Sequence, residues 1–159
     1  MTYDPGQVAH MRHVNMLGDD MSDKREGIIV DLDGTLANHN GRDPYAWELS
    51  KDDLVDEVVR DICNQFEEHL DIIIVSGRPE EGREVYEQWC NYVADVQVTA
   101  MYLRADDDYR KDSIIKQEIY KRDIQPYWDI KFVLDDRNSV VDMWRSIGLK
   151  CLQVQPGDF

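Results

Sequence analysis

The sequence predicts an α/β domain built on a five-stranded parallel sheet with helices on both faces. Three observations predict it. Short unbroken apolar runs, such as Ile28–Val30 and Ile72–Val75, fit strands buried on both sides. Segments between them carry apolar residues at helical spacing. The two kinds alternate along the chain without repeats or low-complexity linkers, the order of a parallel sheet.

Residues 1–25 are polar, contain Gly6 and Gly18, and read as an N-terminal arm before one domain over 26–159. His10 and His13 lie in this arm without further metal-ligand types nearby. Ile28-Ile29-Val30 is the first strand. A helix is expected over 51–69, with Leu54, Val58, Ile62 and Phe66 along one face, Val55, Val59 and Cys63 beside them, and a Ser50/Asp53 capping box. Ile72–Val75 is the second strand. Pro79, Glu80 and Glu81 open a second helix, because proline and carboxylates suit a first turn, and Val85, Trp89 and Val93 mark its face. Residues 96–103 read as the third strand, 111–122 as a helix carrying Ile114, Ile115 and Ile119, and Phe132–Leu134 as the fourth strand. A last helix carries Val140, Val141, Trp144 and Ile147 and stops at Gly148; Cys151–Val154 is the fifth strand.

Composition narrows the function. A chain of 159 residues suits one domain with a proper core. A formal net charge of −15 excludes a general basic surface for duplex nucleic acid. The window Arg104–Arg122 departs from this, with six basic residues against five acidic ones, and would form a local patch for an anionic substrate. No run approaches the roughly 20 apolar residues of a membrane helix, and the first residues lack a secretory pattern. Cys63, Cys90 and Cys151 are widely spaced and read as reduced, buried thiols, so a cytoplasmic protein is expected.

Ligands of parallel sheets bind beyond the carboxyl ends of the strands. Asp31-Leu32-Asp33-Gly34-Thr35 follows the first strand, Ser76-Gly77-Arg78 the second, Arg104 ends the third, and Asp135-Asp136-Arg137 follows the fourth. Four carboxylates at one edge are costly unless a cation shares them. Oxygen donors in a loose frame suit Mg²⁺.

The DLDGT pattern, with the Ser, a downstream Lys and the Asp pair in order, resembles the haloacid dehalogenase superfamily of phosphotransferases. That resemblance implies a three-layer Rossmann-like fold with a small or minimal cap. DLDGTLANHNGRDPY, VSGR, RADDDYRKDSIIKQEIYKRDI and LDDRNSVVDMWRSIGLKCLQVQPGDF are more closely similar to the phosphatase domain of bacteriophage polynucleotide kinase–phosphatases. The resemblance implies a Mg²⁺-dependent polynucleotide 3′-phosphatase of end healing and nucleic-acid repair, working in the host cytoplasm if phage-encoded. RNA or DNA 3′-phosphate ends would be its substrates. A kinase loop GxxxxGK[ST] is absent from these residues, so a kinase or ligase would be a separate polypeptide.

Residue by residue, the resemblance implies Asp31 as the nucleophile forming an aspartyl-phosphate, and Asp33 as general acid and base. Mg²⁺ would be held by Asp31, the Asp33 carbonyl and the pair Asp135 and Asp136, with Asp136 favoured for direct contact. Thr35 would steady the two acids, and Ser76 would bond a phosphoryl oxygen. Lys116, with Lys111 as the second choice, would neutralise charge. Arg78 and Arg104 would grip substrate, with Asp112 orienting a basic neighbour. Tyr45 and Trp47 are candidate base-stacking residues because they follow the nucleophile loop.

Two other readings compete. One is a phosphatase for free nucleotides or another small monoester. The other is a non-catalytic receiver-like module, but receivers place the acceptor Asp after the third strand, and here that strand ends at Arg104.

Overall fold

The computed structural model describes residues 23–159. His10, His13 and nearly all of the expected arm lie outside the described residues. Strands β1 (Arg25–Val30), β4 (Asp71–Pro79), β5 (Ala100–Arg104), β6 (Trp128–Asp135) and β7 (Cys151–Gln153) form one sheet in the order β5-β4-β1-β6-β7, every pair parallel. The chain enters at the centre, builds outward through β4 and β5, then returns to build the other side. The reversal falls between β1 and β6, the point beyond whose strand ends such sheets bind ligands.

Strand alternation divides the core into two layers. Ile28, Val30, Ile72 and Ile74 pack with Val59 and Cys63 of α1 (Glu57–Phe66) and Tyr86, Trp89 and Cys90 of α2 (Arg83–Tyr92). Ile29, Ile73, Val75 and Val133 face the other way, onto Ile115 and Ile119 of α3 (Asp112–Ile119) and Val140, Val141 and Trp144 of α4 (Asn138–Ser146). Fully burying one such aliphatic side chain contributes about 1.5–3 kcal/mol, so central strands apolar on both faces are what this architecture demands. Burial pushes all three free thiols up to about 12, which leaves them unreactive.

The helix expected over 51–69 is shorter. Residues Trp47–Asp52 form a 3₁₀ turn, and Leu54–Val55 (β3) pairs antiparallel with Ala37–Asn38 (β2), a small ribbon that is all the cap this region carries. Asp56, not Ser50, caps α1, accepting from the Val58 and Val59 amides at 3.1 and 3.0 Å. Leu54 and Val58 are 55% and 70% exposed, so the buried face is the one through Val59 and Cys63. Residues 96–99 precede β5 rather than belonging to it, and residues 120–124 continue α3 as a wider π turn.

Candidate active site

Asp31 follows β1 and Asp135 ends β6, on either side of the reversal; the Asp31 amide donates to the Leu134 carbonyl at 3.0 Å. Lys116 of α3 is fully buried between them, its Nζ 2.7 Å from Asp31 Oδ1 and 2.9 Å from Asp135 Oδ2. Asp135 also accepts from Trp144 Nε1 at 3.2 Å and from the Asp136 amide at 3.0 Å. Among the described residues no side chain donates to the Asp136 carboxylate, which lies against Gly34. Gly34 has φ +78°, and any Cβ there would collide with that carboxylate.

Asp33 faces a different set of partners. Arg78 donates to it from Nη2 at 2.6 Å and from Nε at 3.0 Å, and also reaches buried Asp53 at 2.6 Å. Arg42 clamps the same Asp53 through Nε at 2.6 Å and Nη2 at 2.8 Å, and lies 3.8 Å from Asp33. His39 Nε2 is 2.8 Å from Asp33 Oδ1; an ionised carboxylate can only accept, so that nitrogen carries the hydrogen. Arg78 stacks over the Tyr86 ring, and its Nη1 has no partner among the described residues. A hollow of about 380 Å³, lined by Asn40, Arg42, Leu49 and Asp52, adjoins this network.

The two acids titrate in opposite directions. Burial pushes Asp31 well above the carboxylate range, and the Lys116 charge pulls back without cancelling it. Burial also works to raise Asp33, but the His39 hydrogen bond and the Arg78 charge outweigh it and hold this carboxyl far below its usual value. Burial would lower the Lys116 ammonium; the charges of Asp135 and Asp31 reverse this and raise it. Asp136 is raised by burial and by its neighbour Asp135.

The remaining expected residues sort as follows. Ser76 is buried beside Arg78, accepting that residue's amide at 3.2 Å and keeping its hydroxyl hydrogen free. Thr35 donates to Asp31 at 3.4 Å, and the expected second bond to Asp33 is missing among the described contacts. Lys116, not exposed Lys111, meets the acids. Arg104 spends its donors on the Gly77, Asp108 and Arg110 carbonyls and on Asp112, so its place is that of a loop brace rather than an open grip on substrate. Asp112 lies between Arg104 and Arg137, the latter at 2.8 Å. The expected positive patch is partly neutralised, because Arg110 is paired with Asp108 and Glu118 and Arg122 with Asp123. Trp47 donates to Glu81 and packs on the core, while Tyr45 stands free.

Carboxylate oxygens of Asp31, Asp135 and Asp136 lie within 4.8 Å of one another, with Lys116 the one cation paired to them among the described residues. Three buried carboxylates against one ammonium, all oxygen donors, fit a hard divalent cation such as Mg²⁺. The Asp33 side chain is turned to the arginines instead. Sequence reasoning missed Arg42, Asp53 and His39. Arg42 lay in the quoted GRDP stretch without a role, and Asp53 was read as a helix cap.

This edge, with a nucleophile-type Asp after the central strand, a second Asp two residues on, and the Ser, Lys and acid pair at neighbouring strand ends, defines a phosphatase of the haloacid dehalogenase superfamily. The chain belongs to the family described as polynucleotide kinase PNKP phosphatase domain, whose model matches residues 25–159. Two solved chains are similar. One, from a Pnkp1/Rnl/Hen1 complex, is 37% identical with a TM-score of 0.83, covering 93% of this chain and 52% of that one. Another, from a Pnkp1/Rnl/Hen1 RNA repair complex, is 38% identical with a TM-score of 0.82, covering 93% and 48%. A putative bifunctional polynucleotide kinase/RNA ligase of Autographa californica nuclear polyhedrosis virus is 27% identical over 123 residues, covering 76% of this chain and 18% of that protein. The chain thus spans about half the solved relatives and under a fifth of the viral one. No helix among the described residues is long and apolar enough to cross a membrane.

Proposed function

We propose that this phosphatase removes 3′ phosphates from polynucleotide ends with Mg²⁺, through a covalent intermediate on Asp31. The observation that carries the chemistry is Lys116 buried between Asp31 and Asp135, with Asp136 in no ion pair among the described residues. Family membership and the repair-complex relatives support the polynucleotide substrate. The partners fit separate kinase or ligase polypeptides, and three free thiols fit a reducing cytoplasm.

Asp31, Asp136, the Asp33 carbonyl and Asp135, directly or through water, would hold the ion. When bound, it would supply positive charge to the phosphoryl oxygens and keep Asp31 ionised. Asp31 attacks phosphorus, forming an O–P bond as the bond to the 3′ oxygen breaks. Lys116 holds the nucleophile and balances charge. The Ser76 hydroxyl donates to a phosphoryl oxygen, and the unpartnered Arg78 Nη1 offers a further donor. An arriving phosphate competes with Asp33 for Arg78. Weakening that pair lifts Asp33 toward holding the proton it gives to the departing hydroxyl. Asp33 then takes a proton from water, which attacks phosphorus and frees Asp31 and phosphate.

The test is phosphate release from a 3′-phosphorylated oligonucleotide with Mg²⁺, with EDTA, and from free mononucleotides. The reading expects metal-dependent release from the oligonucleotide; turnover confined to free nucleotides contradicts it.

A further inference from the structure

Two nearly fully exposed tyrosines stand on loops that arginines hold rigid. Arg42 Nη1 donates to the Asp43 and Pro44 carbonyls at 3.0 and 3.2 Å, and the Asp43 carboxylate accepts the Tyr45 amide at 2.9 Å. Tyr45 is 91% exposed. In the second loop, Arg104 Nη1 donates to the Asp108 and Arg110 carbonyls at 2.7 and 2.8 Å, and Tyr109 between them is 90% exposed. The same arginines are tied to the site: Arg42 through Asp53 and Asp33, Arg104 through Asp112 and the Gly77 carbonyl.

The loops converge on Glu81, just beyond β4. Its amide donates to Asp106 at 2.8 Å, and its carboxylate accepts from Trp47 Nε1 at 2.8 Å. Glu81 thus joins the two loops that carry the tyrosines just beyond the carboxyl end of β4, the strand that carries Ser76 and Arg78. Tyr92 is 83% exposed too, but it ends α2 on the way back to the opposite edge.

Burying an aromatic face gains free energy, so a bare aromatic on a stiffened loop is a surface prepared for a partner. The nearby charge narrows the partner. Asp43, Asp106, Asp107 and Asp108 line these loops, and Arg110 is neutralised by Asp108 and Glu118. With four acids against the exposed Lys111, these loops are a poor track for a phosphate backbone, whereas stacking on a base needs no positive charge. We infer that Tyr45 and Tyr109 are base-stacking platforms for the one or two nucleotides that carry the 3′ phosphate, and that stacking, not backbone charge, makes this phosphatase select nucleic-acid ends. This rests on the polynucleotide reading above.

The experiment compares KM and kcat for a 3′-phosphorylated dinucleotide with those for a base-free deoxyribose 3-phosphate, in the full chain and in Tyr45→Ala, Tyr109→Ala and the Tyr→Phe variants. Each alanine change is expected to raise KM on the dinucleotide roughly 5- to 100-fold more than on the base-free ester, with kcat little changed and phenylalanine restoring the original value. Tyr92→Ala, on the far side, shows no such difference. The salt dependence of KM should correspond to about two phosphates at most. Equal effects on both substrates, a phenylalanine variant as poor as alanine, or no effect overturns the inference while leaving the polynucleotide reading intact. A native chain inert toward the dinucleotide yet active on the base-free ester overturns both.

Discussion

Asp31 and Asp33 are two residues apart and face opposite surroundings. Around Asp31, three buried carboxylates share one ammonium. Around Asp33, the carboxylates of Asp33 and Asp53 meet two guanidinium groups and an imidazole. One half has fewer positive charges than carboxylates and the other has enough to match them. The division follows from topology: Asp31 faces β6 and its acid pair, while Asp33 points toward β4 and its arginine. A five-residue loop thus holds two acids in opposite electrostatic surroundings without any change in residue type.

The contrast can be broken from either side. Asp31→Asn should abolish turnover, by about ten-thousand-fold or more, on every ester, as removal of a nucleophile does. Asp33→Asn should cost roughly a hundred- to ten-thousand-fold on alkyl esters and less on aryl esters, whose leaving groups need little protonation. Steady-state rates on the two ester classes check both. Lys116→Met strands two buried carboxylates and should destabilise by about 3–5 kcal/mol, seen as a clear fall in the thermal midpoint. Asp53→Asn should likewise destabilise by loosening Arg42 and Arg78, but should leave metal affinity measured by calorimetry nearly unchanged, because Asp53 belongs to the matched half.

Smaller effects sharpen the contrast. Asp136→Asn removes a like charge from the undersupplied half. In metal-free protein it should raise the thermal midpoint by roughly 2–4 °C per kcal/mol relieved, while eliminating activity. The pH dependence has a definite sign. A raised Asp31 contributes stability at low pH that is lost as pH rises from the ordinary carboxylate value through its folded one. A lowered Asp33 contributes stability that is fully present above the ordinary carboxylate value and is lost as pH falls from there through its depressed one. Metal-free protein should therefore lose stability as pH rises above the ordinary carboxylate range, and Asp31→Asn should flatten that loss in melting scans.

The parts of this molecule legible in the sequence are those where chemistry and position coincide. Ile28–Val30 could only be a strand buried on both faces, and DLDGT could only follow it. Lys116 was legible only through the family resemblance, with Lys111 as a rival, because nothing local marks it as buried. Leu54 and Val58 misled because helical spacing is present, yet Asp56 caps the helix two residues later and turns that face outward. Arg42 and Asp53 were illegible because their meaning is a contact, with Arg78 arriving from a strand 25 residues beyond Asp53. Arg104 looked like an open hand because a sequence does not show which carbonyls surround a guanidinium.

The most direct test of the central claim is acid quenching of the Mg²⁺-loaded chain during turnover of a 3′-phosphorylated oligonucleotide, followed by borohydride reduction and mass spectrometry of the peptide containing residue 31. The account predicts homoserine at position 31, the reduction product of an aspartyl-phosphate, absent when substrate or metal is withheld. Steady turnover with Asp31 unmodified and the label on another residue, or full activity in Asp31→Asn, would contradict it.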